Sequence, residues 1–350
     1  MVVNELRKDY IIDRWVVIAS HRRKRPSDFI EKHPEEGRYS TCPFCPGNEH
    51  LTPPASLVYL VEGDGKVRKD RDMNGERHKN WIIRCFPNLY PAFSPVEPKI
   101  MPNIQGGYRY IHLGALGYHE VLVESPNHDE HPGVARIGQL IHVINALKDR
   151  TAFLTTKDFI RYVSIFRNHG ASAGASLSHA HMQIIAMPMV PRIVSEEFVA
   201  SKKYYKDNDR CIFCDIISEE QKSERLIYED GAFIIFAPWA SISPFEFWIF
   251  PKRHQSSILD LKDNEVKGFA EVLRLSLGGL RSLLNDPPYN FGFHMMPKEY
   301  YHWHVEVYPA LSIWAGFEKS TGIYINVVPP EEAAKYLREK LESEKGALIY

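Results

Sequence analysis

Alternating polar and apolar positions predict most of the strands in this chain. The clearest alternation runs through residues 179–186, where His179, His181 and Gln183 are separated by small or apolar residues. Because successive side chains of a strand point to opposite faces, these three polar groups are predicted to share one face. Comparable strands are predicted at residues 10–20 (a pair with a turn near Asp13), 81–86, 119–124, 162–166, 233–238, 245–250, 289–295 and 301–309.

Apolar residues at spacings of three and four predict two long helices, at residues 133–150 and 266–284. Shorter helices are predicted at residues 196–206 and 330–344. The order of the elements repeats, since each half contains a C-x-x-C pair, strands, a long helix and an H-x-H motif. An internal duplication is the economical explanation. We therefore predict two domains, residues 1–195 and residues 196–350.

Composition argues against several classes of partner. The chain has 350 residues, 44% of them hydrophobic, and a formal net charge of −1. This near-neutral charge gives no support to nucleic acid or membrane as the main partner. No run of about 18 or more apolar residues occurs, and the N-terminus does not resemble a signal peptide. We therefore expect a cytoplasmic protein.

Four of the five cysteines form two C-x-x-C pairs. Thiolates two residues apart are the usual half of a tetrahedral zinc site. The alternative is a redox pair, which is less favoured because neither pair is predicted to open a thioredoxin-like helix in a βαβ unit. The remaining cysteine, Cys85, lies within a predicted strand and is expected to be a buried apolar residue.

A loop rich in glycine and serine, residues 168–176, precedes the polar strand face. Small residues let the backbone approach a bound group, and their N–H groups can bind phosphate. A neutral imidazole can attack phosphorus, and a neighbouring amide can donate to a phosphoryl oxygen as charge develops there. The alternative for such a strand is an ordinary polar face, or a histidine pair that binds a structural metal.

The segments Asn168-His169-Gly170, Gly174-Ala175-Ser176 and His179-Ala180-His181-Met182-Gln183 together resemble the active-site signature of the galactose-1-phosphate uridylyltransferase family. This family is the nucleotidyl-transferring branch of the histidine-triad superfamily. The resemblance implies an α+β fold of two fused histidine-triad (HIT-like) domains, each an antiparallel sheet with packed helices. It also implies that His181 is the nucleophile, that Gln183 steadies the phosphoryl group, and that Asn168, Gly174 and Ser176 bind substrate.

The resemblance implies a first metal site, with zinc expected. Its ligands would be Cys42, Cys45, His128 and His179, with His131 and His119 as rivals of His128. Internal equivalence predicts a second site at Cys211, Cys214, His254 and His302. Two alternatives remain for that second site: thiols that bind no metal, or an iron held by Glu197 together with His302 and His304.

Three further segments resemble substrate-binding regions of the family. Arg22 and Arg25 match arginines that meet the nucleotide phosphates, although a basic run is often a solvated loop. Asn88 matches a nucleoside contact, and an asparagine after proline is also a common turn residue. Glu318 matches an acidic position against the sugar, often across the interface of a homodimer. A glutamine that follows it in the galactose enzymes has no counterpart here, which leaves the sugar open.

The resemblance implies ping-pong transfer of a nucleotidyl group from UDP-glucose to galactose 1-phosphate through a uridylyl-histidine on His181. The nearest alternative is an ADP-glucose phosphorylase that uses the same histidine and takes phosphate as acceptor. A histidine-triad hydrolase, a nucleotide-binding protein and a metal-stabilised scaffold are the alternatives of other classes. Gln183 disfavours hydrolysis, because hydrolytic triad proteins usually carry a third histidine there. The second half has Glu306 at the place of Gln183 and is expected to be inactive.

Overall fold

The structure is a computed structural model that describes residues 4–19, 22, 24–30, 42–63, 65–95 and 114–348. Its helices are α1 (Ile137–Thr155), α2 (Arg192–Asn208), α3 (Ile212–Glu220), α4 (Asp263–Leu284), α5 (Gly316–Thr321) and α6 (Pro330–Leu348). Its strands are β1 (Glu5–Lys8), β2 (Trp15–Ile18), β3 (Leu57–Val61), β4 (Val67–Asp70), β5 (Trp81–Pro87), β6 (Tyr118–Val123), β7 (Tyr162–His169), β8 (His181–Met187), β9 (Leu226–Glu229), β10 (Phe233–Phe236), β11 (Phe247–Pro251), β12 (Tyr289–His294), β13 (His304–Pro309) and β14 (Tyr324–Asn326).

One antiparallel sheet runs through both halves of the chain. Its 11 strands follow the order β4-β3-β5-β6-β8-β7-β12-β13-β11-β10-β9. The halves meet where β7 pairs with β12, and this pairing places Asn290 opposite Asn168. A smaller sheet of 3 strands has the order β1-β2-β14. The predicted α+β class with antiparallel strands and packed helices is confirmed, and the two halves share a single continuous sheet.

The internal repeat predicted from the sequence is visible in the topology. In the first half the chain runs β3, β5, β6, α1, β7, β8, and in the second half it runs β9, β10, β11, α4, β12, β13. The strands then occur in mirrored order on the two sides of the β7–β12 pair. The predicted boundary between residues 195 and 196 falls inside α2, the helix that leads from one half to the other. The boundary itself stays a prediction.

The two long helices cover the apolar face of the sheet. Buried residues of α1 recur at helical spacing, including Leu140, Val143 and Leu147, and they join the largest buried cluster together with α4. Gly279 of α4 lets α6 approach, since a Cβ at this position would lie 2.2 Å from a methyl carbon of Leu341. Removing this apolar surface from water is the main favourable term in folding. Among the described residues, no helix combines the length and apolar character needed to cross a membrane.

Some predicted element bounds were wrong. The first strand of the N-terminal pair is β1, which precedes Tyr10, because Asp9 accepts the N–H groups of Ile11 and Ile12 and so bends the chain into a turn. Helix α1 begins at Ile137 because the preceding residues form a turn on the carbonyl of His131. The short strands β3, β4, β9 and β14 carry no clear alternation and were not predicted.

Candidate active site

The polar face predicted around His181 lies at the centre of the first half. Strand β8 carries His181 and Gln183 and pairs with β6 on one side and β7 on the other. His179 lies just before the strand begins and is almost completely buried. His181 is 7% exposed. The sheet therefore supports the nucleophile candidate from both sides while leaving a small part of its ring open.

One hydrogen bond decides which nitrogen of His181 is free. Nδ1 of His181 lies 2.8 Å from the carbonyl oxygen of His179, so Nδ1 must carry the hydrogen and donate it. The unshared electron pair is then on Nε2. Burial lowers the pKa of His181 to about 4, against the opposing effect of the His179 carbonyl and with a smaller contribution from Arg167. The imidazole is neutral at pH 7 and suited to nucleophilic attack.

The backbone of this histidine is also held in place. Arg167 donates from Nη1 to the carbonyl oxygen of His181 at 3.2 Å. The same guanidinium is buried, forms an ion pair with Glu124 and donates from Nη2 to Nδ1 of His131 at 2.8 Å. His131, a rival for the first metal site, is therefore engaged elsewhere.

Gln183 contacts the other rival, His119. Nε2 of His119 lies 2.7 Å from Oε1 of Gln183, and the N–H of Ala92 donates to Nδ1 of the same ring at 3.0 Å. Asn88 adjoins this pair, with its Nδ2 3.2 Å from His119 Nε2, and its Oδ1 accepts the N–H of Tyr90 at 2.9 Å. Asn88 thus serves as a turn residue and also lies beside the candidate active site.

The glycine-rich loop is folded by its own hydrogen bonds. Gly170 and Gly174 have φ values of 80° and 85°, which a residue with a side chain rarely adopts. The N–H groups of Ala173 and Ala175 both donate to the carbonyl of Gly170. These two N–H groups are therefore not available to a phosphate, although the sequence suggested that N–H groups of this loop bind one. Ser176, in the exposed part of the loop, follows them.

The four predicted ligands of the first metal site come together. Nδ1 of His179 lies 3.6 Å from Sγ of Cys42 and 3.5 Å from Sγ of Cys45. Nδ1 of His128 lies 3.4 Å from Sγ of Cys45. Zinc bonds of about 2.3 Å to sulfur and about 2.0 Å to nitrogen, at tetrahedral angles, require edges of roughly this length. The donor set fits zinc.

Groups around this first cluster hold both imidazoles in the orientation that metal binding needs. Nε2 of His179 donates to the carbonyl of Ser125 at 2.8 Å, and Nε2 of His128 lies 2.9 Å from the hydroxyl of Ser178. The Ser125 carbonyl can only accept, so Nδ1 of His179 is left as a potential ligand. The Ser178 hydroxyl can accept from His128 in the same way, which is the arrangement usual around metal-binding histidines.

The predicted second cluster also assembles. Cys211, Cys214, His254 and His302 place one ligand atom each within 4.8 Å of the others. Sγ of Cys214 lies 3.4 Å from Nδ1 of His254 and 3.6 Å from Nδ1 of His302. Cys211 stands at the start of α3, but this helix follows α2 and not a strand, so the pair does not open the helix of a βαβ unit, as predicted. The adjacent imidazoles still favour metal binding over a redox pair.

A third cluster corrects the iron alternative. That alternative grouped Glu197 with His302 and His304, but the structure places His302 with the thiols instead. Glu197 and His304 meet His294 and Glu306, a set whose ligand atoms also lie within 4.8 Å of one another. His294 was not predicted to belong to any site.

This third cluster is held by its own hydrogen bonds. Nδ1 of His294 lies 2.9 Å from Glu197, and the hydroxyl of Tyr301 donates to the same carboxylate at 2.6 Å. Nε2 of His304 lies 3.3 Å from Glu306. Phe213, Trp248, Phe250 and Tyr301 pack around the His304 ring, which is completely buried. The place equivalent to His181 is therefore filled by side chains in the second half.

Three predicted substrate residues belong to segments outside the central sheet. Arg22 and Arg25 have exposed side chains. The Glu318 side chain accepts the N–H of Ala315 at 2.9 Å at the start of the short helix α5. Their predicted roles stay predictions.

Asn168 and Asn290 form a link that sequence reasoning missed. Oδ1 of Asn168 accepts from Nδ2 of Asn290 at 2.8 Å. The same Nδ2 donates to the carbonyl of Ala173 in the loop at 2.7 Å. Asn290 lies on β12, so the second half contributes a side chain to the first half's candidate site. An isolated asparagine in a strand gives no sequence signal of such a contact.

Two family models match the chain. One, described as the N-terminal domain of galactose-1-phosphate uridyl transferase, matches residues 69–191, and a domain of unknown function matches residues 138–348. ADP-glucose phosphorylase from Arabidopsis thaliana is 37% identical over 347 residues, covering 96% of this chain and 92% of that protein. Galactose-1-phosphate uridylyltransferase from Thermotoga maritima is 30% identical over 349 residues, covering 96% of this chain and 98% of that protein.

Solved structures give the same picture. The crystal structure of the Arabidopsis thaliana ADP-glucose phosphorylase with bound ADP-glucose has a TM-score of 0.77 and 34% identity, covering 96% of this chain and 99% of that one. A structure of a uridylyltransferase has a TM-score of 0.73 and 26% identity, covering 97% of this chain and 99% of that one. The similarity therefore extends over both halves of the chain.

Proposed function

The chain belongs to the galactose-1-phosphate uridylyltransferase family of nucleotidyltransferases, and on that premise we propose that it transfers a nucleotidyl group through a covalent adduct on His181. The observation that carries the proposal is the hydrogen bond from His181 Nδ1 to the His179 carbonyl, which leaves Nε2 free on a neutral ring. Gln183 favours transfer over hydrolysis, because hydrolytic triad proteins usually carry a third histidine at that position.

In the first half-reaction, Nε2 of His181 attacks the α-phosphorus of a nucleotide sugar. A nitrogen–phosphorus bond forms, the phosphorus–oxygen bond to the sugar phosphate breaks, and glucose 1-phosphate leaves with that electron pair. Nδ1 keeps its hydrogen and continues to donate it to the His179 carbonyl. This hydrogen bond stabilises the positive charge on the ring of the adduct. Donors on Gln183 and Asn168 face the negative charge that develops on the phosphoryl oxygens.

In the second half-reaction, an acceptor oxygen attacks the same phosphorus and releases His181. We propose ADP-glucose as the donor and inorganic phosphate as the acceptor. Two observations support this choice: the 37% identity to an ADP-glucose phosphorylase, and the missing glutamine in the tail near Gly322. The products would be ADP and glucose 1-phosphate.

The second candidate is the uridylyltransferase reaction of galactose metabolism. Here the donor is UDP-glucose, and galactose 1-phosphate takes the uridylyl group from His181. The Thermotoga maritima relative, with 30% identity over nearly its whole length, supports this candidate. Both reactions use the same histidine and differ in the base and the acceptor.

We further propose zinc at both clusters of two cysteines and two histidines. Zinc at the first cluster would fix His179, whose carbonyl in turn holds His181. Thiol ligands suit a reducing compartment such as the cytoplasm. The exposed apolar side chains of Ile313, Trp314 and Phe317, beside Glu318, support a homodimer in which Glu318 approaches a partner's sugar.

The test is the mass of the intact protein after incubation with ADP-glucose and, separately, with UDP-glucose. We expect an adenylyl adduct that phosphate removes. A uridylyl adduct that galactose 1-phosphate removes would establish the second candidate instead. Absence of any adduct from a folded, metal-loaded protein would contradict the covalent mechanism.

A further inference from the structure

Polar side chains form a row across one face of the sheet near His181. Gln183 lies two residues beyond His181 on β8, and Asn168 on β7 is paired with Asn290 on β12. Val121 on β6 is paired with Gln183, and His119 lies two residues before Val121 on the same strand. The side chains of His119 and Gln183 therefore lie on the same face of the sheet. Within this row, two carboxamides have neighbours that determine which end of the amide remains free.

The first carboxamide is that of Gln183. Because the Ala92 N–H donates to Nδ1 of His119, the ring hydrogen must be on Nε2. That Nε2–H donates to Oε1 of Gln183 at 2.7 Å, so the amide nitrogen of Asn88, 3.2 Å from the same Nε2, packs against the ring without donating to it. The oxygen end of the amide is therefore occupied, and the NH₂ end is left for a ligand.

The second carboxamide is that of Asn168. Its Oδ1 accepts from Asn290, whose NH₂ group is fixed by a second bond to the carbonyl of Ala173. If the amide of Asn290 were turned over, its oxygen would face both Oδ1 of Asn168 and the carbonyl oxygen of Ala173, and three oxygens would repel one another. The NH₂ group of Asn168 is therefore also left for a ligand, close to Gly174.

We propose that His119 and Asn290 are positioning residues that hold Gln183 and Asn168 with only N–H groups towards the phosphoryl oxygens. The inference rests on the proposed function, since it concerns the same phosphorus. A free carboxamide has two orientations of similar shape, and one of them would turn its oxygen towards an anion. The two neighbours exclude that orientation before substrate arrives, which is preorganisation of the kind that lowers barriers.

The arrangement also explains a contact between the halves. Asn290 belongs to the second half, yet it fixes an amide and a loop carbonyl of the first half. The second half, which is expected to be inactive, would thus still determine the geometry of the phosphate subsite in the first half. If Asn290 only stabilised the fold, its replacement would slow the reaction equally whether or not Asn168 is present, whereas the proposal predicts that its effect depends on Asn168.

The experiment is a pair of double-mutant cycles on the rate of adduct formation. His119→Phe keeps the ring shape and removes the N–H, and it should slow adduct formation about 10- to 100-fold, the range of a hydrogen bond to a charged group. In a Gln183→Ala background the same change should have almost no further effect. In the second cycle, Asn290→Leu should slow adduct formation by a similar factor in the wild-type background. It should have almost no further effect in an Asn168→Ala background.

The controls separate this inference from the proposed function. His142→Phe makes the same change at a half-buried histidine on α1 and should leave the rate unchanged. Wild-type protein is tested first, because absence of its adduct would contradict the proposed function itself. If wild type forms the adduct but His119→Phe and Asn290→Leu keep its full rate, or slow it equally in both backgrounds, the positioning roles are wrong.

Discussion

At the scale of single residues, the His179 carbonyl determines the chemistry of His181. It accepts the Nδ1 hydrogen and so leaves the electron pair on Nε2. His179 itself contributes its own Nδ1 to the first cluster, while its Nε2 donates to Ser125. Two histidines two residues apart therefore have opposite free nitrogens, and this difference assigns one to metal binding and the other to attack.

Replacing His181 with glycine tests that assignment. The His181→Gly variant should lose turnover by more than about 1000-fold, as expected when a nucleophile is removed, and should form no adduct. Its metal content should equal that of wild type, because His181 lies outside the clusters that could hold a metal. Turnover by coupled assay and metal by elemental analysis provide the measurements. Loss of one metal equivalent would show instead that His181 is a ligand.

The residue scale also shows what the sequence could predict. Alternation in residues 179–186 placed His181 and Gln183 correctly on one face, and the C-x-x-C spacing predicted two clusters that the structure brings together. His119 was considered only as a metal ligand, because its true neighbours are 27 and 64 residues away. Local periodicity reports which face a side chain occupies, but it does not report the register of distant strands.

At the scale of elements, the first metal cluster joins a loop, a turn and the start of a strand. Cys42 and Cys45 come from the loop before β3, His128 from the turn after β6, and His179 from the segment before β8. Hydrogen bonds from His179 to Ser125 and between His128 and Ser178 also join these segments, and Phe44 packs against His179. A bound metal would therefore stabilise the region that positions His181.

Substitution of Cys45 tests this role. Cys45→Ser should lower the metal content by one equivalent per chain and lower the melting temperature. It should also slow adduct formation, because His179 would no longer be fixed. Cys85→Ala is the matched control, since Cys85 is buried outside every cluster and should retain all metal. Full metal content in Cys45→Ser would contradict the assignment.

Element bounds were less predictable than element types. The alternation at residues 10–20 was correct for β2, but a side-chain turn on Asp9 displaced the first strand. Arg22, Arg25 and Glu318 matched family positions, and the structure places them in segments outside the central sheet. Their roles stay predictions, because local spacing encodes neither a bound nucleotide nor a partner subunit.

At the scale of the whole molecule, a buried charged cluster links distant parts of the second half. Glu197 of α2, His294 of β12 and Glu306 of β13 meet there, with His304 beside them and Arg14 contributing from the N-terminal segment. Burial alone would lower the pKa of His294, but the carboxylates of Glu197 and Glu306 raise it to about 9. The folded protein therefore favours the charged imidazole.

This shift predicts a pH dependence of stability. A raised pKa contributes stability that is fully present below about pH 6.5, the ordinary value, and is lost as the pH rises through about 9. Each unit of difference corresponds to about 1.4 kcal/mol. Urea unfolding of wild type should show this decline between pH 6.5 and 9, and His294→Asn should show a smaller one. Parallel curves for the two proteins would rule out His294 as the source.

The pairing of β7 with β12 has a consequence for how such a chain could arise. An isolated half would end its sheet at an unpaired strand, and exposed edges of this kind bind other edges. The mirrored strand order means that a second copy of the same half could cover that edge by a two-fold rotation. Fusion of two copies would make this association permanent and independent of concentration, and one half could then lose its reaction while keeping its edge.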